Sequence, residues 1–125
     1  MDQAIGLAPD NPVMLNGRCW GRAIANRQTD GAIADCNAAL GKAPSDTHIL
    51  DSLGFAWFRK GDFDKAIAQY DLALAAKPDL GLTLYKRGLA KIRKGDPGGG
   101  KADIARALAL DPHAGDEMTE FGILP

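Results

Sequence analysis

The chain is poor in aromatic residues, which make up 6% of its 125 residues, and it holds only two cysteines. Scarce aromatics beside abundant alanine disfavour a sheet, whose pleated surface suits β-branched and aromatic side chains, and favour close-packed helices. No run of eighteen apolar residues occurs, which excludes a membrane-spanning helix. The opening Met1-Asp2-Gln3-Ala4 lacks a basic stretch followed by an apolar segment, so no secretory signal is written there. Charge of one sign is also missing: 15 Lys and Arg stand against 16 Asp and Glu, a formal net charge of −1. Such a balance gives no whole-molecule attraction to nucleic acid or to an anionic membrane. Two cysteines, Cys19 and Cys36, do not make a disulfide framework. What is present is ordinary for one soluble domain, with 46% hydrophobic and 25% charged residues.

Periodicity is the informative feature. Pro9, Pro44, Pro78 and Pro112 each close an alanine-rich phrase, and they are 35, 34 and 34 residues apart. Each period has room for two helices and two short connections. The clearest copy is 47–80. Leu50, Leu53, Gly54, Trp57 and Phe58 share one helical face by their three-and-four spacing, as do Phe63, Ala66, Ile67, Tyr70, Ala73 and Leu74 in a second helix. Between them Gly61 suits a left-handed helix end and Asp62 suits the next N-cap. Trp57 and Tyr70 are expected to be large buried residues. The copy at 81–114 repeats the plan with Leu84, Gly88 and Ile92, then Gly95-Asp96-Pro97, then Ile104, Ala107 and Leu108. The copy at 13–46 is looser, with Leu15, Cys19, Ala23 and Ile24 followed by Ala32, Ile33, Cys36, Ala39 and Leu40. Small residues such as Gly54, Ala66 and Ala73 allow the two helices of a hairpin to approach closely. A single hairpin cannot bury its apolar face, so hairpins stack.

On these residues the chain resembles the tetratricopeptide-repeat family, of the bacterial type. Residues 47–80 resemble one whole repeat through Leu50, Leu53, Gly54, Trp57, Ala66, Tyr70, Ala73 and Pro78. The third copy matches at Leu84, Gly88, Ala107 and Pro112, but has Arg87, Lys91 and Gly100 where Leu, an aromatic and Ala are usual. The first matches at Ala32, Ala39 and Pro44, departs at Asn16, and has Trp20 in the place of the small glycine. The resemblance implies an all-α, right-handed solenoid of stacked antiparallel helical hairpins. Its expected organisation is the tail of a preceding repeat at 1–12, repeats at 13–46, 47–80 and 81–114, and a C-terminal capping helix at 115–125. That tail makes the chain read as the C-terminal fragment of a longer repeat protein, with an uncapped N-terminal face open to self-association. Met118 and Phe121 are expected to cover the last hairpin.

The residues at 95–101 fit G-x-x-x-x-G-K, but Ala102 follows where a magnesium-binding Ser or Thr belongs, and no strand precedes them. They read as a turn with a frayed helix start. Cys19 and Cys36 lie on the apolar faces of paired helices and are expected to be buried free thiols, with a bridge or redox pair as the alternative that spacing alone does not decide. His48 and His113 lie in different repeats and form no ligand set, so no metal or cofactor is expected, and no nucleophile–base arrangement suggests an enzyme. The run from Tyr85 to Lys94 has five cations in ten residues. It reads as a solvated helix, with docking of an acidic or phosphorylated partner beside Lys86 and Arg93 as the functional alternative, and nucleic acid is not expected.

The resemblance implies a protein–protein interaction scaffold that takes a peptide or helix in a concave groove lined by the first helix of each hairpin. Carried over, it points to His48, Asp51, Phe55, Phe58 and Arg59, and to Leu82, Tyr85, Leu89, Ile92 and Arg93. Gly17 and Gly21 hold the equivalent places in the first copy, so a carboxylate clamp for chaperone C-terminal tails is not expected. The second reading is an accessory tail of a larger enzyme.

Overall fold

The structure is a computed structural model that describes residues 11–125. Residues 1–10 of the expected preceding tail, and its uncapped face, fall outside these residues, and Asn11 and Pro12 belong to the start of the first helix. In chain order the helices are α1 (Pro12–Ile24), α2 (Thr29–Lys42), α3 (Thr47–Lys60), α4 (Phe63–Ala76), α5 (Gly81–Lys94), α6 (Pro97–Leu110) and α7 (Asp116–Glu120). No strand occurs among the described residues. The first six helices pair as α1/α2, α3/α4 and α5/α6, and each hairpin packs on the next, giving the expected all-helical solenoid.

Local chemistry sets the helix limits. Asn11 accepts from the Val13 and Met14 amides, and Asp46 accepts from those of His48 and Ile49. Asp62 and Asp96 likewise accept from Lys65 and Gly99, so side-chain oxygens satisfy amides that have no partner inside the helix. Gly61 and Gly95 end α3 and α5 with φ of +90° and +107°, where a side chain would be strained. The glycine-rich stretch at 95–101 is therefore a helix end followed by a helix start.

Numbered from these caps, the hairpins reveal one shared crossing point. Eight residues beyond each first-helix cap stand Cys19, Gly54 and Gly88; eight beyond each second-helix cap stand Cys36, Tyr70 and Ile104. A Cβ at Gly54 would lie 2.5 Å from the Tyr70 ring, and one at Gly88 would lie 2.6 Å from the Gly100 carbonyl oxygen and 2.7 Å from Ile104. In the first hairpin the same two positions are joined by the Cys19–Cys36 disulfide, with Cα atoms 5.6 Å apart. The expectation of free thiols is thus corrected: the crossing that brings Gly54 onto Tyr70 brings the two sulfurs together. The expected register of α1 is corrected as well. Its cap lies 35 residues before Asp46 rather than 34, so Cys19, not Trp20, takes the glycine's place.

The same numbering explains the residues that depart from the repeat pattern. Seven and eleven beyond the first-helix cap stand Arg18 and Arg22 in α1, Leu53 and Trp57 in α3, and Arg87 and Lys91 in α5. Seven beyond the second-helix cap stand Asp35, Gln69 and Asp103. In the outer hairpins these form one arrangement. Asp35 accepts from Arg18 at 2.6 and 2.9 Å and from Arg22 at 2.8 Å. Asp103 accepts from Arg87 at 2.8 and 2.9 Å and has Lys91 at 3.0 Å. Each carboxylate is buried and met by a two-pronged guanidinium, the geometry in which such pairs are strongest. In the middle hairpin the pair becomes Leu53, 2% exposed, and Trp57. Trp57 is only partly buried, against expectation, and Lys65 lies 4.4 Å from its ring centre. Tyr70 is wholly buried, and its hydroxyl finds no hydrogen-bond partner among the described residues.

Burial alone would raise the Asp103 pKa, but the bonds from Arg87 and Lys91 outweigh it and hold the carboxyl below its ordinary range. Its stabilising effect is therefore present above the unfolded-state pKa and is lost as pH falls below about 4. Asp103→Asn should lower the urea midpoint at pH 7 and flatten its decline on acidification; an unchanged acid limb would contradict this. Gly54→Ala and Gly88→Ala should each destabilise by about 1–3 kcal/mol, whereas Tyr70→Phe should be neutral or stabilising. Replacing both cysteines by alanine should cost about 3 kcal/mol, read by the same titration, and dithiothreitol should then have no further effect.

Candidate functional site

The face formed by α1, α3 and α5 carries rows of equivalent side chains. Two residues beyond the caps come Val13, His48 and Leu82; five beyond, Asn16, Asp51 and Tyr85; six beyond, Gly17, Ser52 and Lys86. Nine beyond come Trp20, Phe55 and Leu89. Helical period places these rows on one side of each helix, since neighbours three and four apart share a face.

The face is divided in two. Its ninth-residue row is covered by the chain's own α7 and the residues after it. The Phe121 ring lies 6.0 Å from that of Phe55 and 6.3 Å from that of Trp20, while Phe55 and Trp20 are 5.1 Å apart. Met118 is 1% exposed and Ile123 5%. Gly115 lies against the Tyr85 ring so closely that a Cβ would collide with it. Arg93 donates to the Leu124 carbonyl at 3.2 Å.

The other half is open. A cleft of about 670 Å³ is lined by Val13, Asn16, Trp20, His48, Asp51, Ser52, Leu82 and Lys86, with Asp79, Leu80, Leu110, Asp111 and Glu117 closing its far side. Three large apolar side chains stand exposed around it: Val13, Leu82 and Leu110. On its floor Asp51 accepts from the Thr83 hydroxyl at 2.5 Å and from Lys86 Nζ at 2.6 Å. The Lys86 ammonium is buried, 3.9 Å from Glu117 and 4.6 Å from the Trp20 ring centre. The Asn16 Oδ1 atom is buried and has no hydrogen-bond partner among the described residues. Four carboxylates, Asp51, Asp79, Asp111 and Glu117, line the cleft beside one lysine, so the cleft is net acidic.

Of the ten residues expected to line a groove, His48, Asp51 and Leu82 line the cleft. Phe55, Phe58, Tyr85 and Leu89 are buried. Ile92 packs against Gly100 in the α5/α6 crossing. Arg59 lies over the Phe55 ring and donates to the Ala23 and Ile24 carbonyls, where its charge suits the C-terminus of α1; burial lowers its pKa. Arg93 sits over Phe58.

The basic run is neither a solvated face nor a free cationic patch. Lys86 is spent on Asp51, and Arg87 on Asp103 and Asp71. Lys91 meets Asp103, and Lys94 meets Asp64 at 2.5 Å. The hydrogen bond to Asp103 is the main reason the Arg87 pKa is raised, and Asp64 raises that of Lys94. Acids on α3, α4 and α6 pair with four of the five cations, which removes the basis for acidic-partner docking at Lys86, while Arg93 is exposed and bonds the Leu124 carbonyl. His48 and His113 are exposed, the latter 2.9 Å from Asp116. Among the described residues no group of His, Cys, Asp or Glu suits a metal ion, and no helix is long and apolar enough to cross a membrane.

Against known proteins, the tetratricopeptide-repeat family profile matches residues 48–80. No curated protein sequence matches the chain. Among solved structures it is similar to the first tetratricopeptide-repeat domain of Spaghetti (RPAP3) bound to the HSP90 peptide SRMEEVD, with TM-score 0.76, 21% identity and 90% of each chain covered. It is also similar to MamA MSR-1, with TM-score 0.74, 21% identity, and 90% of this chain and 64% of that one covered. A mutant form of MamA gives a TM-score of 0.72 at 22% identity, over 83% of this chain and 75% of that one.

Proposed function

We propose, for a chain that belongs to the tetratricopeptide-repeat proteins by the sequence of residues 48–80 and by its fold, that it is a non-catalytic scaffold whose hairpins hold a segment of another polypeptide in the open cleft. Residues 13–46, 47–80 and 81–114 are its three working units. The observation that carries this reading is the cleft itself: exposed Val13, Leu82 and Leu110 stand around a floor of hydrogen-bonding groups. Apolar side chains around a few fixed polar groups are what a recognition site needs, the first for area and the second for orientation.

The charge of the cleft selects the partner. With four carboxylates to one buried lysine, and an unpartnered Asn16 acceptor, it favours a segment that brings donors and positive charge between apolar anchors. His48, Asp51 and Leu82 are the groove residues that such a segment would meet. The acidic peptide held by the Spaghetti domain is poorly suited to this surface. Like charges facing one another across an interface suppress binding.

Selection from a random peptide library should yield basic–apolar sequences. Leu82→Asp or Val13→Asp should weaken their binding by about tenfold or more, equivalent to about 1.4 kcal/mol, without lowering the thermal midpoint appreciably. Calorimetric titration checks both. Undiminished binding in both variants, or micromolar affinity for SRMEEVD, would refute the reading.

A further inference from the structure

We infer that the covered half of the face is a second ligand seat, which accepts a segment presenting an aromatic and an aliphatic side chain two residues apart, and that the chain's own Phe121 and Ile123 occupy it in the resting state. The inference goes beyond the cleft reading, although Trp20, Lys86 and Glu117 border both places.

Three observations carry it. The seat is built from the first helices of all three hairpins, through Trp20 of α1, Phe55 of α3 and Tyr85 of α5. The occupant is a five-residue helix with a short tail, joined to α6 by a turn at Asp111–Ala114 whose Pro112 and His113 are exposed. A helix of that length has no stability of its own, so it is ordered by the seat alone. Meanwhile the three hairpins are closed elsewhere, at Cys19–Cys36, Gly54–Tyr70 and Gly88–Ile104, by contacts that do not involve residues 115–125. The hairpin crossings thus do not rest on residues 115–125, while Met118 and Ile123 join Phe55 and Tyr85 in one apolar cluster.

The polar ties between them are few: Arg93 to the Leu124 carbonyl, and Lys86 to Glu117 at 3.9 Å. What holds the segment is aromatic and aliphatic area, with ring contacts at 6.0 and 6.3 Å that another aromatic side chain reproduces. Tethering by a short connection gives the resident segment an effective concentration of about millimolar. A competing partner must overcome that advantage, so the resident segment raises the threshold for anything that binds here.

The test places a protease site in the exposed turn at Pro112–His113 of the 125-residue chain and cuts it after folding. Expected are release of the C-terminal peptide on dilution, retention of the helical circular dichroism, and saturable rebinding of a labelled peptide of residues 114–125. Phe121→Ala or Ile123→Ala in that peptide should weaken rebinding by tenfold or more, whereas Glu120→Ala should not. Loss of helical signal on release would show the segment to be core, and a cut peptide that never exchanges would show the seat to be closed; either overturns the inference. Binding in the open cleft, read through Leu82→Asp in the uncut chain, is a separate measurement, so each reading fails on its own result.

Discussion

The architecture depends on how near two helix axes come where each hairpin crosses. That nearness is fixed by a single pair of positions, and the chain meets the requirement with three different chemistries: a covalent sulfur bridge, a glycine under a tyrosine ring, and a glycine under an isoleucine. Each solution leaves the hairpins equally able to stack, so equivalent side chains from α1, α3 and α5 fall into rows on one face. Without that common approach distance, the aromatic row of Trp20 and Phe55 and the polar row of Asn16 and Asp51 would not align. Every feature of the candidate site follows from the alignment.

Much of this was legible in the residues, because prolines and glycines punctuate helices whatever surrounds them. The spacing of Pro44, Pro78 and Pro112, the Gly–Asp pairs at 61–62 and 95–96, and the small residues at 54 and 88 point to stacked hairpins without any knowledge of contacts. The register of α1 was less accessible. A one-residue difference in spacing moved Cys19 off the crossing in the pattern, and with it the reason for two cysteines. The ion clusters around Asp35 and Asp103 were hidden for the same reason: Arg18, Arg22, Arg87 and Lys91 look like faults in an apolar pattern until their shared acid is placed beside them. The family profile matches the middle unit, where Leu53 and Trp57 keep the apolar form.

The candidate site was legible only in outline. That the first helices supply its side chains follows from the repeat pattern, and His48, Asp51 and Leu82 could be named from it. That Phe55 and Tyr85 are covered could not, because cover comes from residues 115–123, a segment with no periodic signal of its own. Its one clue is compositional: Met118, Phe121 and Ile123 are too apolar for so short a solvent-facing piece. Charge was similarly deceptive, since a run of five cations reads as a patch until Asp51, Asp64, Asp71 and Asp103 are seen to pair with four of them.

The sulfur bridge lies in the first hairpin alone, and this gives the solenoid a direction. In an array where each unit leans only on its neighbours, loosening starts at the weaker end and spreads inward. The first described hairpin is fastened covalently, while the third relies on Gly88 meeting Ile104 across a helix whose Pro97 is followed by three successive glycines. A crossing with no covalent bridge, at α5 and α6, thus adjoins the short segment that lies over the aromatic row.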